Sequence, residues 1–354
     1  MARSSRASRL ATALASALLL LATAACGGND GAGDGGEKPE SGKDSAAGSA
    51  FPVEIPHKYG TTEITSAPKR IVTVGLTDHD AVLALGTVPV GTTEWLGGYK
   101  GAIGPWAKDR LGGAAVPTVL KDTGTGPQVE RIAALKPDLI LALYGGLTKE
   151  QYKSLSAVAK VVAHPKEYND YGIPWQELTT KVGAVLGKQP EAEKLIAEVE
   201  GQIAAAAKPE FKGRGALMAT PYEGMFVFGS QDPRSRLLAQ LGFELPKDLD
   251  QSIGDKFGAN ISKERTDLLD QDAVVWMVGD VAKDSAKLHK DASYGDLKVV
   301  GEGREVFIHE TSDYGNATSM TSVLSIPYVV ERLVPQLAAA VDGKPATKVE
   351  QPAP

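Results

Sequence analysis

Residues 128–143 read QVERIAALKPDLILAL, and residues 262–277 read SKERTDLLDQDAVVWM. Glu130, Arg131, Leu135 and Asp138 in the first stretch match Glu264, Arg265, Leu269 and Asp272 in the second, each pair 134 positions apart. Each stretch is a short helical pattern, an Asp, and then an apolar run of the kind a buried strand needs. One helix-to-strand unit written twice predicts two like lobes.

The surroundings of each copy extend that reading. IVTVG (71–75) is β-branched, apolar and closed by Gly; TDHDAVLALG follows as a helix, capped by Thr77 or Asp78 and stopped by Gly86. VPVGTT (88–93), PTVL (117–120), DLILAL (138–143) and VVAH (161–164) are further strand candidates, most of them separated by helical patterns. From 176 to about 208 the pattern is nearly all helical, broken at Gln189-Pro190. The strand rhythm resumes with GALMAT (215–220), MFVFG (225–229), AVVWMVG (273–279) and EVFIH (305–309), and a last helix reads IPYVVERLVPQLAAAV. Alternating strands and helices argue for an α/β fold with largely parallel sheets. The expected plan is an N-terminal lobe at 51–188, an interlobe helix at 189–210, a C-terminal lobe at 211–342 and a tail at 343–354.

The N-terminus reads as an export signal. Arg3, Arg6 and Arg9 precede an uncharged run from Leu10 to Ala25, short for a spanning helix. The chain's one cysteine, Cys26, follows Thr23-Ala24-Ala25. Small residues before a Cys at that point resemble a bacterial lipoprotein cleavage site, which implies signal removal over 1–25 and acylation of Cys26. An ordinary secretory cleavage or a buried structural Cys are the alternatives. With one Cys, no intramolecular disulfide can form. Residues 27–50, GGNDGAGDGGEKPESGKDSAAGSA, hold no aromatic or β-branched residue. Such a segment cannot build a core and reads as a disordered tether, which as a Gly-rich coil would span roughly 27 Å.

Bulk composition narrows the function classes. Of 354 residues, 42% are hydrophobic and 23% charged, and the formal net charge is −6. Removing Arg3, Arg6 and Arg9 makes the chain more acidic still. Lys and Arg are scattered, which argues against a nucleic-acid surface. No dinucleotide-binding G-x-G-x-x-G, phosphate-binding G-x-x-x-x-G-K-[ST] or G-x-S-x-G elbow occurs, so the reading is of a binder, not an enzyme.

APKRIVTVG, VERIAALKPDLILA, SKERTDLLDQDAVVW and TSVLSIPYVVERLVPQLAAAV together resemble the iron-siderophore class of ABC-transporter substrate-binding lipoproteins, over essentially the whole chain after Phe51. GGYKGAIGPWAKDRLGG and YGIPWQEL look like its actinobacterial branch. The resemblance implies two Rossmann-like lobes joined by one long rigid helix, with the ligand cleft between them and only a small closing motion. It implies capture of an Fe(III)–siderophore complex, delivery to a dimeric ABC permease powered by its ATPase, and no resident cofactor. It also implies a docking role for Glu130 and Glu264, since a two-fold permease calls for two like acids. An acid in a first helical turn is also favourable by itself, because it faces the positive end of the helix dipole. A monomer is expected. Zinc, haem or cobalamin as ligand of the same fold, and a surface sensor or adhesin, are the alternatives.

Ligands of open α/β sheets bind beyond the carboxyl ends of the strands, so the candidate ligand groups follow strands. They are Trp95, Trp106, Tyr144, Tyr222, Arg234, Arg236 and Tyr314. Rings can stack on a bulky chelate, and guanidinium groups can pair with its anionic oxygens. Each aromatic can equally be core packing. Arg234 and Arg236 oppose the dipole of the helix that Asp232 and Pro233 begin; two residues apart, they do not share a face, so one is expected in the cleft. Trp276 lies inside a strand and reads as core; Trp175 opens a helix and could be either. The five histidines, His57, His79, His164, His289 and His309, are not at metal-ligand spacing on one helix. His79 and His309 follow strands and carry the zinc alternative. Few basic groups stand near the cleft, which favours a hydroxamate or citrate chelate.

Overall fold

The repeated unit lands at equivalent places in two five-stranded sheets. The computed structural model describes residues 50–121 and 126–351; the export signal, the tether and Cys26 lie outside the described residues. The chain begins with a hairpin, β1 (Val53–His57) and β2 (Gly60–Ile64), paired antiparallel. The first sheet comprises β3 (Ile71–Thr73), β4 (Gly91–Glu94), β5 (Thr118–Lys121), β6 (Leu139–Ala142) and β7 (Lys160–Ala163). It is parallel throughout, in the order β5-β4-β3-β6-β7. The second comprises β8 (Ala216–Thr220), β9 (Met225–Phe228), β10 (Gly258–Ile261), β11 (Ala273–Val278) and β12 (Glu305–His309), in the order β10-β9-β8-β11-β12. Here β8, β11 and β12 are parallel, whereas β9 runs antiparallel to both of its neighbours.

Helices fill the connections. In the N-terminal lobe these are α1 (Asp78–Ala84), α2 (Val129–Ala134), α3 (Lys149–Ser156) and α4 (Trp175–Leu186). α5 (Gln189–Ala206) joins the lobes; Pro190 sits in its first turn, where a missing N–H costs nothing. The C-terminal lobe adds α6 (Pro233–Gln240), α7 (Leu249–Ile253), α8 (Val281–Lys290), α9 (Ala292–Gly295), α10 (Lys298–Gly301), α11 (Asp313–Met320) and α12 (Ser325–Ala340).

The repeat has a mechanical meaning. Asp138, just before β6, accepts the backbone N–H groups of Lys69 and Arg70 at 2.7 and 2.9 Å, so it pins the start of β3. Asp272, just before β11, accepts the N–H of Gly215 at 2.8 Å and pins the start of β8. The helical half of the repeat is less alike. Its second copy folds as a 3-10 turn (Lys263–Leu269) interrupted at Arg265, whose guanidinium reaches Ser252 and Asp267.

Three apolar layers result. One lies on the outer face of the first sheet, with Val72, Ile132 and Ile140; one on the outer face of the second, with Leu217, Val274 and Trp276. The third is shared. Ile71, Leu139 and Leu141 of the first sheet, Met218 and Val275 of the second, and the inward sides of α1, α4, α5, α6 and α12 form one continuous cluster. Burial of this kind resists water along its whole length, so the lobes are joined by far more than one helix.

Candidate ligand site

The order of the first sheet reverses at β3: the chain winds outward to β5, then crosses back to β6. At such a switch point a crevice opens beyond the strands' carboxyl ends. A cavity of about 220 Å³ lies there, bounded by Gly75 and Leu76 after β3, Thr93 on β4, Gly145 and Gly146 after β6, and Tyr171. Asp78 shapes this edge by accepting the N–H groups of Leu143 and Tyr144 at 2.8 and 2.9 Å. Burial pushes the Asp78 carboxyl up to about 6, although both N–H groups pull it down. A Cβ on Gly75 would stand 2.2 Å from Asp78 Oδ2, so only glycine fits without displacing that carboxylate.

From this edge an aromatic band crosses into the other lobe. Ring centroids are 6.2 Å apart for Trp95–Tyr144, 5.8 Å for Tyr144–Tyr171 and 6.1 Å for Tyr171–Phe257. The band continues with Phe257–Phe226 at 5.7 Å and Phe226–Phe228 at 5.4 Å. Most contacts are tilted or edge-to-face, the arrangement that ring quadrupoles favour. Tyr171 is held in the left-handed region at φ 61°. At the far end the Arg234 guanidinium lies 3.6 Å from the centroid of Phe228. Its Nε and one Nη donate to the two Asp232 oxygens at 2.8 and 2.7 Å. Asp232 also caps α6 by accepting the Arg234 N–H at 2.9 Å. Burial works against the Arg234 charge, but the Asp232 carboxylate holds it above its ordinary value.

The residues expected at the site separate into groups. Trp95, Tyr144 and Arg234 belong to the band. Tyr222 stands at the β8–β9 turn and is 63% exposed. Because β9 is antiparallel, the residues after it emerge at the opposite end of the sheet from Tyr222, so Tyr222 and Arg234 do not share one edge as expected. Arg236 turns the other way: it donates to the Gly172 carbonyl at 2.6 Å and borders a groove beside Glu177 and Glu200. Burial lowers its pKa. Trp106 sits in the interlobe seam, donating to Asp80 Oδ2 at 2.9 Å and packing on Tyr99 and Tyr328. Tyr314 is only 6% exposed, in the shared core between α11 and α12, and donates to Gln336 at 2.9 Å. Its position after β12 suggested the cleft; the inward side of α11 decided otherwise. Trp276 is core, donating to the Tyr294 hydroxyl at 2.7 Å, and Trp175 is buried.

Sequence reasoning missed Tyr171, Phe226, Phe228 and Phe257. Tyr171 follows the VVAH strand within the quoted YGIPW and could have been found by the same rule as Tyr144. Phe257 precedes β10, a strand that the pattern GANI does not announce. A second seam was also missed: Tyr99 donates to Asp313 at 2.6 Å and accepts from Asn316 at 2.9 Å, and Ser322 donates to Asp80. These polar ties join the lobes beside the shared core.

Glu130 lies in the first turn of α2 and Glu264 in the first turn of the 3-10 segment, both exposed. The Ser262 hydroxyl holds the Glu264 carboxyl below its ordinary value. His79 is fully buried in α1 and His309 is exposed at the end of β12. Among the described residues no three His, Cys, Asp or Glu side chains are grouped to hold a metal ion. Among them, too, no helix is long and apolar enough to cross a membrane.

Residues 71–309 match the family model described as periplasmic binding protein. The chain belongs to that family. Its crystal-structure neighbours include a periplasmic solute binding protein from Mycobacterium smegmatis, 32% identical, with TM-score 0.69 over 82% of this chain and 98% of that one. The PiaA protein of Streptococcus pneumoniae in complex with ferrichrome is 27% identical, with TM-score 0.74 over 82% and 99%. Among curated relatives, a probable siderophore-binding lipoprotein of Bacillus subtilis is 27% identical over 77% of this binding protein and 84% of the relative. The Fe(3+) dicitrate-binding periplasmic protein of Escherichia coli is 26% identical over 56% of this chain, and the match spans 63% of that relative's length. The two-lobed α/β architecture is thus that of the periplasmic binding proteins.

Proposed function

We propose that this chain captures an Fe(III)–siderophore complex outside the cytoplasm and delivers it to the permease of an ABC importer. The observation that carries the reading is the aromatic band, which runs from the switch-point cavity of one lobe to the buried Arg234 of the other. A face of rings with one guanidinium suits a bulky chelate with an apolar skeleton. The relatives' names, which include siderophore, ferric citrate and ferric enterobactin binding, support the same class. In this reading the iron complex is cargo, the protein needs no resident cofactor, and its work is binding, not catalysis. Acylated Cys26 anchors a monomer at the membrane through the tether. The shared core limits closure to a small adjustment.

Tryptophan fluorescence of the full chain in mild detergent tests the reading. Saturable quenching by a ferric chelate, lost in Trp95→Phe, is the expected result. Binding of Zn²⁺ alone, or silence from ferric chelates, haem and cobalamin in folded protein, refutes it. Glu130 and Glu264 are proposed to pair with arginines on the permease. Reversing both charges should abolish uptake in cells while leaving ligand affinity intact, since exposed rim charges govern docking and register; normal uptake would dismiss that role.

A further inference from the structure

We infer that the site selects ferric chelates of low net charge, of the trihydroxamate class, and rejects polyanionic tris-catecholates and ferric citrate. The inference rests on the ferric-chelate reading above. Three hydroxamates carry one negative charge each and cancel iron(III); three catecholates carry two each and leave a trianion. An anion that leaves water for an aromatic site needs a cation with donors to spare.

The two arginines of α6 are already engaged. Arg234 is 8% exposed, and its guanidinium meets both Asp232 oxygens fork on fork with Phe228 beneath it. Asp232 is 1% exposed, so the pair adds no net charge to the band. Drawing Arg234 onto an anionic ligand would leave that carboxylate buried without its partner, a costly exchange. Arg236 is held by Gly172 on the other side of α6. Among the described residues that line the switch-point cavity, Lys121 is the one with a formal charge, and it is exposed. A neutral chelate can lie on the accessible rings, Trp95, Tyr171, Phe226 and Phe257, without disturbing any of these pairs.

The test titrates the full chain in detergent with a cyclic and a linear ferric trihydroxamate, a ferric tris-catecholate and ferric dicitrate. The better trihydroxamate should bind about 100-fold more tightly than either anionic chelate, the scale on which charge mismatch discriminates partners. Asp232→Asn keeps an oxygen for the helix cap but frees the Arg234 charge, so the neutral-to-anionic affinity ratio should fall about tenfold or more. For the unmodified protein, trihydroxamate affinity should change less than about twofold between low and high salt. A tris-catecholate or dicitrate bound as tightly as the trihydroxamates overturns the inference and leaves the ferric-chelate reading standing. So does an unchanged ratio in folded Asp232→Asn, or strong salt dependence should that variant not fold. Silence from all four chelates overturns both.

Discussion

Asp138 pins its lobe's first strand through two backbone N–H groups, whereas Asp272 pins the corresponding strand through one N–H and the Arg214 guanidinium at 3.4 Å. The joint is the same, and what surrounds it is not. The N-terminal sheet is parallel throughout, and one buried acid beside it, Asp78, is held by backbone N–H groups. The C-terminal sheet reverses at β9, and one buried acid on it, Glu305 of β12, is held by side chains. Tyr294 donates to Glu305 Oε1 at 2.7 Å, and His289 Nε2 lies 2.8 Å from Oε2. Burial raises the Glu305 carboxyl, with Tyr294 and His289 opposing it. The lobes thus keep in common the step that joins strands, and differ where each contributes its own share of rings to the band.

The difference can be broken most severely at Tyr294. Tyr294→Phe leaves the Trp276 N–H and a Glu305 oxygen without their partner, at a cost of about 4 kcal/mol in urea unfolding. A loss below about 1 kcal/mol would mean that the side-chain network is no more demanding than the N-terminal arrangement.

Asp78 sharpens the contrast through pH. With a folded midpoint of about 6 against an ordinary 3.8, Asp78 takes up its proton in the native state first. Its contribution to stability is therefore full below the ordinary value and is lost as pH rises through about 6, a swing of about 3 kcal/mol. Carboxyl-carbon NMR should show the midpoint near 6; a midpoint near the ordinary 3.8 would mean that the two N–H groups offset burial.

The smallest effect tests the shared joint. Asp138→Ala and Asp272→Ala should each cost about 1 kcal/mol in urea unfolding, Asp138→Ala the more because it releases two N–H groups. If only one variant is destabilised, the repeat is not a common joint.

Much of this was legible along the chain. The glycine after IVTV and the Asp232-Pro233 helix start are local signals, because caps and strand ends depend on neighbours a few residues away. Trp95 and Tyr144 follow parallel strands and so could be placed at the crevice edge by the rule that such groups follow strands, whereas Arg234 follows the reversed β9. Tyr314 shows the limit of that rule: which side of α11 turns inward depends on α12, not on β12. The VEIPHKYGTTEI hairpin is not announced by its sequence although its buried positions alternate, because Pro56 interrupts the first strand and the second is mostly polar.

The sequence by itself determined two α/β units and the helix between them, since each rests on hydrophobic period, capping and an echo at a constant offset. The tertiary structure alone decided that β9 would run backward, that Tyr171 would meet Phe257, and that Asp232 would neutralise Arg234. Those outcomes depend on strand register and on contacts between residues far apart in the chain, where no local pattern records which partner will satisfy a buried ring or charge.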